Sequence, residues 1–186
     1  MKPLLIGVGK SFSSGLLNVQ KVILVFTSAL VIIGIATQAS FRYFFRIDFF
    51  GLEEVIVLLA FWLYFIGASY GSFTKSHITA DIIPVYIKNN KIKSIAMLVT
   101  SLITIVIAVL YSLWSLDYIL WIAERGTTTA VLKIPVILSR SAIFVGFVLM
   151  TAYFIYHFVL DLKRLIKEEF SSNKPNTIKA SEGEEI

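Results

Sequence analysis

Long stretches without a charged residue divide this chain more clearly than any helical or strand periodicity. Four of them contain 20, 20, 23 and 20 residues, and they are residues 22–41, 55–74, 94–116 and 141–160. A helix that crosses the hydrocarbon core of a bilayer needs about 20 apolar residues, since each adds about 1.5 Å. A charge at its centre costs roughly 2.5–3.5 kcal/mol on insertion scales. The pattern therefore predicts four transmembrane helices, at about 22–41, 52–74, 94–119 and 140–160.

The predicted fold class is all-α, an integral membrane protein with four transmembrane helices. Residues 1–21 form a basic cytoplasmic or interfacial segment, residues 22–165 the membrane domain, and residues 166–186 a disordered cytoplasmic tail. In the middle loop, Ile78, Ile82 and Val85 could share one face of a short helix. That pattern predicts an amphipathic segment lying in the membrane interface. A cleavable signal peptide at the first charge-free run is disfavoured, because the run is longer than the ~7–15 apolar residues of such a signal.

Lysine and arginine predict the orientation of these helices. With four spans, both termini and the middle loop share one side, which carries twelve of the 17 basic residues. The other side carries five basic residues, and its five acids balance them. Cytoplasmic loops are enriched in Lys and Arg, so both termini are expected in the cytoplasm. The pI of 9.4 reflects these basic loops, which suit the anionic headgroups of lipid, and no nucleic-acid partner is expected.

Composition agrees with a membrane chain and excludes several kinds of site. Apolar residues make up 57% of the sequence and charged residues 16%, against ~45–50% and ~25% in soluble domains. The chain contains no cysteine, which excludes disulfides, iron–sulfur clusters and thiolate zinc sites. Two histidines are too few for most histidine-based metal sites, and only His157 lies in a predicted span.

The central parts of the predicted spans contain no ionisable side chain apart from tyrosine. Membrane enzymes and coupled transporters usually need such groups to carry protons, ions or ligands. We therefore predict no catalytic, cofactor-binding or metal-binding residue, and no cofactor. A supporting role in a larger complex fits best. A free-standing homo-oligomeric membrane protein or channel, and a membrane-anchor subunit of an enzyme complex, remain alternatives.

Eight residues are candidates for structural or partner contacts. They are Arg42, Arg46, Glu53, Glu54, Gly67, Gly71, His77 and Asp81. The two acids begin the second helix, where they suit the positive end of the helix dipole, and are expected to pair with Arg42 or Arg46. A coupling site or a partner contact is the alternative for them.

Two further spacings indicate contacts. The two candidate glycines form a small-xxx-small spacing that permits close helix packing in lipid. His77 and Asp81 are four residues apart and could touch on one helical face, as a structural pair or a partner contact. Tyr111, Trp114, Tyr118 and Trp121 form a stripe that suits either an outer aromatic belt or a partner-facing surface.

Several of these features together resemble a known family. They are Arg42 after the first helix, the GLEE sequence at 51–54, Trp62 followed by GASY at 67–70, the HITAD sequence at 77–81, and the segment 129–135. In this order, within a chain of four spans, they resemble the small membrane subunit of tripartite ATP-independent periplasmic (TRAP) transporters, the DctQ-like family.

The resemblance implies a non-catalytic small subunit in a bacterial inner membrane. Its partners would be a large membrane subunit, which holds the substrate and sodium sites, a periplasmic substrate-binding protein, and membrane lipid. The binding protein would deliver an organic acid of the C4-dicarboxylate or sialic-acid class for sodium-coupled uptake. The small subunit would enlarge the fixed scaffold against which the transport domain of the large subunit moves.

Overall fold

Four long helices form the protein in a computed structural model, which describes residues 4–47, 49–74 and 90–172. The helices are α1 (Leu4–Ser40), α2 (Phe50–Phe73), α3 (Asn90–Arg125) and α4 (Ile137–Ser172), and a π-helical turn, Phe41–Phe45, follows α1. Each helix has a part long and apolar enough to cross a membrane; these parts are Gly15–Phe45, Phe50–Phe73, Ile95–Arg125 and Ile137–Lys163. The prediction of four transmembrane helices is confirmed. Their orientation remains a prediction.

The helices extend beyond the limits expected from the charges. The first helix continues unbroken through residue 21, and α3 ends at Arg125 rather than near 119. The tail was expected to be disordered from residue 166, but α4 continues to Ser172. A helix satisfies its own backbone hydrogen bonds in water as well as in lipid. A charged residue therefore marks where an apolar run ends and need not mark where the helix ends. The predicted amphipathic segment of the middle loop, with His77 and Asp81, lies outside the described residues.

The order of the helices in space differs from their order in sequence. Helix α4 packs against both α2 and α3, and α1 packs mainly against α2. The helices thus form a row, α1–α2–α4–α3, in which α1 and α3 are the edges. In the most apolar part of each span, only 6–11% of the residues are fully buried by the protein itself. The remaining apolar surface is available to lipid or to another membrane protein.

Glycines allow the closest approaches between helices. A Cβ atom built on Gly146 of α4 would lie 2.7 Å from the Cβ atom of Phe65 in α2. One built on Gly34 of α1 would lie 2.9 Å from Cγ1 of Ile56. One built on Gly67 would lie 3.5 Å from Cδ2 of Leu24, an ordinary van der Waals distance. The approaches at Gly146 and Gly34 are therefore tighter than the one at Gly67 of the predicted small-xxx-small pair.

Candidate functional site

The connection between α3 and α4 is a folded loop rather than a flexible one. It begins at Gly126, whose φ of 57° favours glycine and ends α3. Its two arms then run antiparallel, with the Thr129 N–H donating to the Ile134 carbonyl at 2.9 Å and the Val136 N–H donating to the Thr127 carbonyl at 3.0 Å. We call residues 126–136 the α3–α4 loop. Part of it docks on α2 of the same chain.

Glu54 fastens the α3–α4 loop to the start of α2. Its Oε1 atom accepts a hydrogen bond from the Val131 N–H and its Oε2 atom one from the Leu132 N–H, both at 2.8 Å. A carboxylate that binds two successive backbone amides makes charge-assisted hydrogen bonds, which are stronger than neutral ones. Leu132 also covers Gly51, where a Cβ atom would lie 3.1 Å from Leu132 Cγ. Where pairing with Arg42 or Arg46 was expected, both oxygens of the Glu54 carboxylate accept hydrogen bonds from the loop.

The loop, α2 and α4 line an open cavity of about 390 Å³ at the same end of the molecule. We call it the loop-end cavity. Its lining combines charged and apolar side chains, namely Phe50, Glu53, Glu54, Val57, Leu58, Thr129, Val131, Ile134, Pro135, Val136, Ser139 and Arg140. Because α2 begins at Phe50 and α4 at Ile137, the cavity lies within the first turns of two spans.

Arg140 occupies the α4 side of this cavity. Its guanidinium carbon lies 4.2 Å from the ring centroid of Phe61, a cation–π geometry. Its Nε atom is buried and has no hydrogen-bond partner in the part of the chain that the structure describes. One residue pair nearby joins the same two helices, since the indole N–H of Trp62 donates to the Leu138 carbonyl at 3.0 Å. Arg140 was not singled out by the sequence, where it only marked the start of a charge-free run.

The two candidate arginines lie in the turn between α1 and α2. Arg42 belongs to the π-helical turn, and Arg46 ends it with a φ of 54°. The rings of Phe41 and Phe49 pack edge to face across this turn, 4.8 Å between centroids. Glu53 is exposed and lines the loop-end cavity. The structure thus brings Glu53 and Glu54 to the cavity and leaves the two arginines on the α1–α2 turn.

The sequence profile of one family covers most of this four-helix arrangement. The profile described as "Tripartite ATP-independent periplasmic transporters, DctQ component" matches residues 19–164. The chain belongs to this family. It is therefore a small component of a TRAP transporter, as the resemblance of its motifs indicated, and a multi-pass membrane protein. No curated protein is significantly similar to it.

A polar chain at the opposite end of this DctQ-family protein joins three helices. The side-chain amide of Gln20 in α1 donates to the Ser69 hydroxyl in α2 at 3.0 Å, and the Tyr153 hydroxyl in α4 donates to Gln20 Oε1 at 2.9 Å. His157 in α4 also lies 2.8 Å, through Nε2, from the carbonyl oxygen of Phe73, near the end of α2. The sequence indicated none of these pairs, although it placed His157 in a predicted span.

The aromatic stripe of α3 lies on the outside of the DctQ-family fold. Its four side chains are 40–62% exposed. Tyr111 stacks on Phe147 of α4 with 5.4 Å between ring centroids, and Trp114 packs edge-on against Tyr111 at 5.7 Å. At the end of the helix the Arg125 guanidinium lies 4.1 Å from the Trp121 ring centroid. The stripe is thus partly fixed by the chain itself, and both interpretations of it, belt and partner surface, remain predictions.

Charged clusters that could hold a metal are absent from the described ranges. Within residues 4–47, 49–74 and 90–172, no three His, Cys, Asp or Glu side chains come close enough to form a metal site. Polar contacts between the helices are made by neutral side chains. An example is the pair of Ser112 in α3 and Thr151 in α4, whose hydroxyl oxygens are 3.1 Å apart. The arrangement is suited to holding helices in fixed positions.

Proposed function

We propose that this chain is a non-catalytic scaffold subunit. In this role it binds the large membrane subunit of its transporter in the bacterial inner membrane and supports sodium-coupled uptake of an organic acid. The acid belongs to the C4-dicarboxylate or sialic-acid class and is delivered by a periplasmic binding protein. The family match over residues 19–164 is the single observation that carries this proposal. The chemistry of transport is assigned to the other subunits.

The contacts between helices support a role as a fixed scaffold. A scaffold against which another domain moves must resist deformation itself. Three ties serve that need here: the chain from Gln20 through Ser69 and to Tyr153, the pair of Ser112 with Thr151, and the loop held by Glu54. The first tie joins α1, α2 and α4, the second joins α3 and α4, and the third joins α2 to the α3–α4 loop. Together they connect all four helices.

The edge helix α3 is the face proposed for the large subunit. Among the helices described, α3 packs against α4 alone, which leaves most of its circumference to another partner. Its exposed Trp114 is positioned by Tyr111, which in turn stacks on Phe147. Aromatic side chains held in place before binding lose little conformational freedom on association, and they are enriched among residues that dominate binding energy. This choice favours the partner-facing interpretation of the aromatic stripe.

Reconstitution tests the proposal directly. Proteoliposomes would contain the large subunit alone, this chain alone, or both, with the binding protein, a labelled organic acid and a sodium gradient. We expect uptake only when both membrane subunits are present, and loss of uptake when the gradient is removed. Full uptake by the large subunit alone would contradict a necessary scaffold. Sodium-driven uptake by this chain alone would contradict the assignment of chemistry to the other subunits.

A further inference from the structure

The loop-end cavity contains charged groups that the fold does not fully use. Both oxygens of Glu54 are occupied by loop amides, but Glu53 and Arg140 also line the cavity. The Nε atom of Arg140 is buried without a hydrogen-bond partner among the described residues, and Glu53 is exposed. Beyond its contact with Phe61, the Arg140 guanidinium makes no hydrogen bond or ion pair with another described residue, so its charge can be matched by an acceptor in the cavity. The cavity therefore offers one cationic and one anionic group to a ligand.

Position and size restrict the ligand further. Glu53 and Arg140 are each the fourth residue of their helix, about 5 Å from its start, which is the depth of lipid headgroups in a spanning helix. Val57 lies one turn deeper than Glu53, about 6 Å along α2, and is also part of the lining. A volume of about 390 Å³ is at the lower end of the ~300–1,000 Å³ range of ligand pockets. It suits a headgroup with the first carbons of its chain rather than a whole lipid.

We propose that the loop-end cavity binds the headgroup of a zwitterionic phospholipid that carries a primary amine, such as phosphatidylethanolamine. Arg140 contacts the phosphate, because a guanidinium matches phosphate oxygens in charge and geometry. Glu53 contacts the ammonium group, and the apolar wall at Val57 and Leu58 contacts the start of an acyl chain. A purely anionic headgroup is disfavoured, since Glu53 and Glu54 would both face it. The lipid would then bridge α2 and α4 beside the α3–α4 loop.

Binding to the full chain, purified in detergent and stripped of lipid, tests the proposal. The probes are phosphatidylethanolamine, phosphatidylglycerol and water-soluble O-phosphoethanolamine, with bound lipid counted by native mass spectrometry. We expect phosphatidylethanolamine to bind at least tenfold more tightly than either of the others. Equal affinity for phosphatidylglycerol would overturn the role of the amine. Equal affinity for the soluble headgroup would overturn the assignment to a lipid.

A matched pair of arginine variants locates the site. Arg140→Gln should weaken binding of phosphatidylethanolamine about tenfold. Arg125→Gln should leave it unchanged, because Arg125 lies at the same end of the molecule, also over an aromatic ring, but does not line the cavity. Equal effects of the two variants, or no effect of either, would overturn the site. The thermal midpoint of each variant without added lipid shows whether it is folded.

A second variant keeps the test independent of the packing of Arg140 on Phe61. Glu53 is exposed, so Glu53→Gln should fold normally. It should lower the preference for phosphatidylethanolamine over phosphatidylglycerol by at least fivefold, with affinity for phosphatidylglycerol unchanged or higher. Glu124→Gln, an exposed acid that does not line the cavity, is the control and should keep the preference. An unchanged preference in the Glu53 variant would overturn the proposed contact with the amine.

Discussion

Tyr153 and Gln20 are joined by a 2.9 Å hydrogen bond across 133 residues of sequence. Both residues are buried, with 6% of Tyr153 and 2% of Gln20 exposed. The side-chain amide of Gln20 in turn donates to the Ser69 hydroxyl. Ser69 is fully buried, and its hydroxyl donates to the Ile66 carbonyl at 2.8 Å. A buried polar chain of this kind has one geometry that satisfies its members. It therefore fixes the position of α1 relative to both α2 and α4.

Tyr153→Phe should destabilise the protein while leaving its packing in place. The substitution removes only the hydroxyl, so Gln20 Oε1 loses its donor at a buried position. Hydrogen bonds between membrane helices average about 0.6 kcal/mol, with a maximum near 1.7 kcal/mol, and a loss in that range is expected. The measurement is reversible unfolding in mixed detergent micelles.

The control for this change is Tyr156→Phe, three residues along α4, where the ring is 38% exposed and stacks on Phe73. It should change the free energy of unfolding little. Gln20→Leu combined with Tyr153→Phe should cost less than the sum of the two single changes, because both remove the same bond. Full additivity would mean that the two side chains do not interact.

Glu54→Gln should loosen the α3–α4 loop. Val131 and Leu132 donate to different oxygens of the carboxylate, so a glutamine in the same position keeps only one of these bonds and turns its NH2 group toward the other N–H donor. Hydrogen exchange of the backbone amides in residues 127–136 should become at least tenfold faster. Glu53→Gln changes the neighbouring acid, which is outside this contact, and should leave exchange of the loop unaltered.

The same variant separates a structural role of Glu54 from a coupling role. In reconstituted transporter, Glu54→Gln should lower uptake in proportion to the amount of complex that assembles. The dependence of uptake on sodium concentration should stay the same, because a residue that holds a loop does not bind the ion. A changed sodium stoichiometry would return Glu54 to the alternative of a coupling site.

Trp114→Ala tests the proposed face of α3. If the stripe contacts the large subunit, this substitution should reduce co-purification of the two subunits several-fold, because aromatic anchors dominate binding energy at interfaces. Trp121→Ala removes an aromatic ring from the end of the same stripe, beside Arg125, and should have a smaller effect. Similar yields for both variants and the unaltered chain would favour the aromatic belt.

The number of helices could be predicted from sequence because charges are excluded from the hydrocarbon core. The ends of the helices could not, since no comparable penalty stops a helix in the headgroup region or in water. The order α1–α2–α4–α3 was also beyond prediction. A spanning helix in lipid is apolar on all sides, so its sequence pattern does not mark the side that packs on a neighbour.

The candidate site was predicted in part. Glu53 and Glu54 were identified from their place at the start of a helix, but backbone amides, the partners of Glu54, leave no trace in side-chain patterns. Gln20 was missed because it stands beside Lys21, in a segment assigned to the interface. An amide next to a long apolar run was the signal available, since such a group needs a partner when it is buried. Arg140 was counted only as a boundary charge.

Alanine substitutions at three glycines should destabilise the protein most where a Cβ atom has the least space. Gly146→Ala would bring a methyl group within 2.7 Å of Phe65 Cβ and 3.0 Å of its carbonyl oxygen, where the backbone cannot yield easily. Overpacking of this kind typically costs about 1–3 kcal/mol. Gly67→Ala meets Leu24 at an ordinary 3.5 Å and should cost much less.

Gly15→Ala is the control for this series, because nothing lies within 4 Å of its Cβ position. It should be neutral or stabilising, since alanine favours helix over glycine by up to about 1 kcal/mol. Thermal midpoints of the three variants in one detergent give the ranking. If Gly67→Ala proved the most damaging, the small-xxx-small spacing would be the main helix contact after all, and the close approach of α4 to Phe65 would matter less than its geometry indicates.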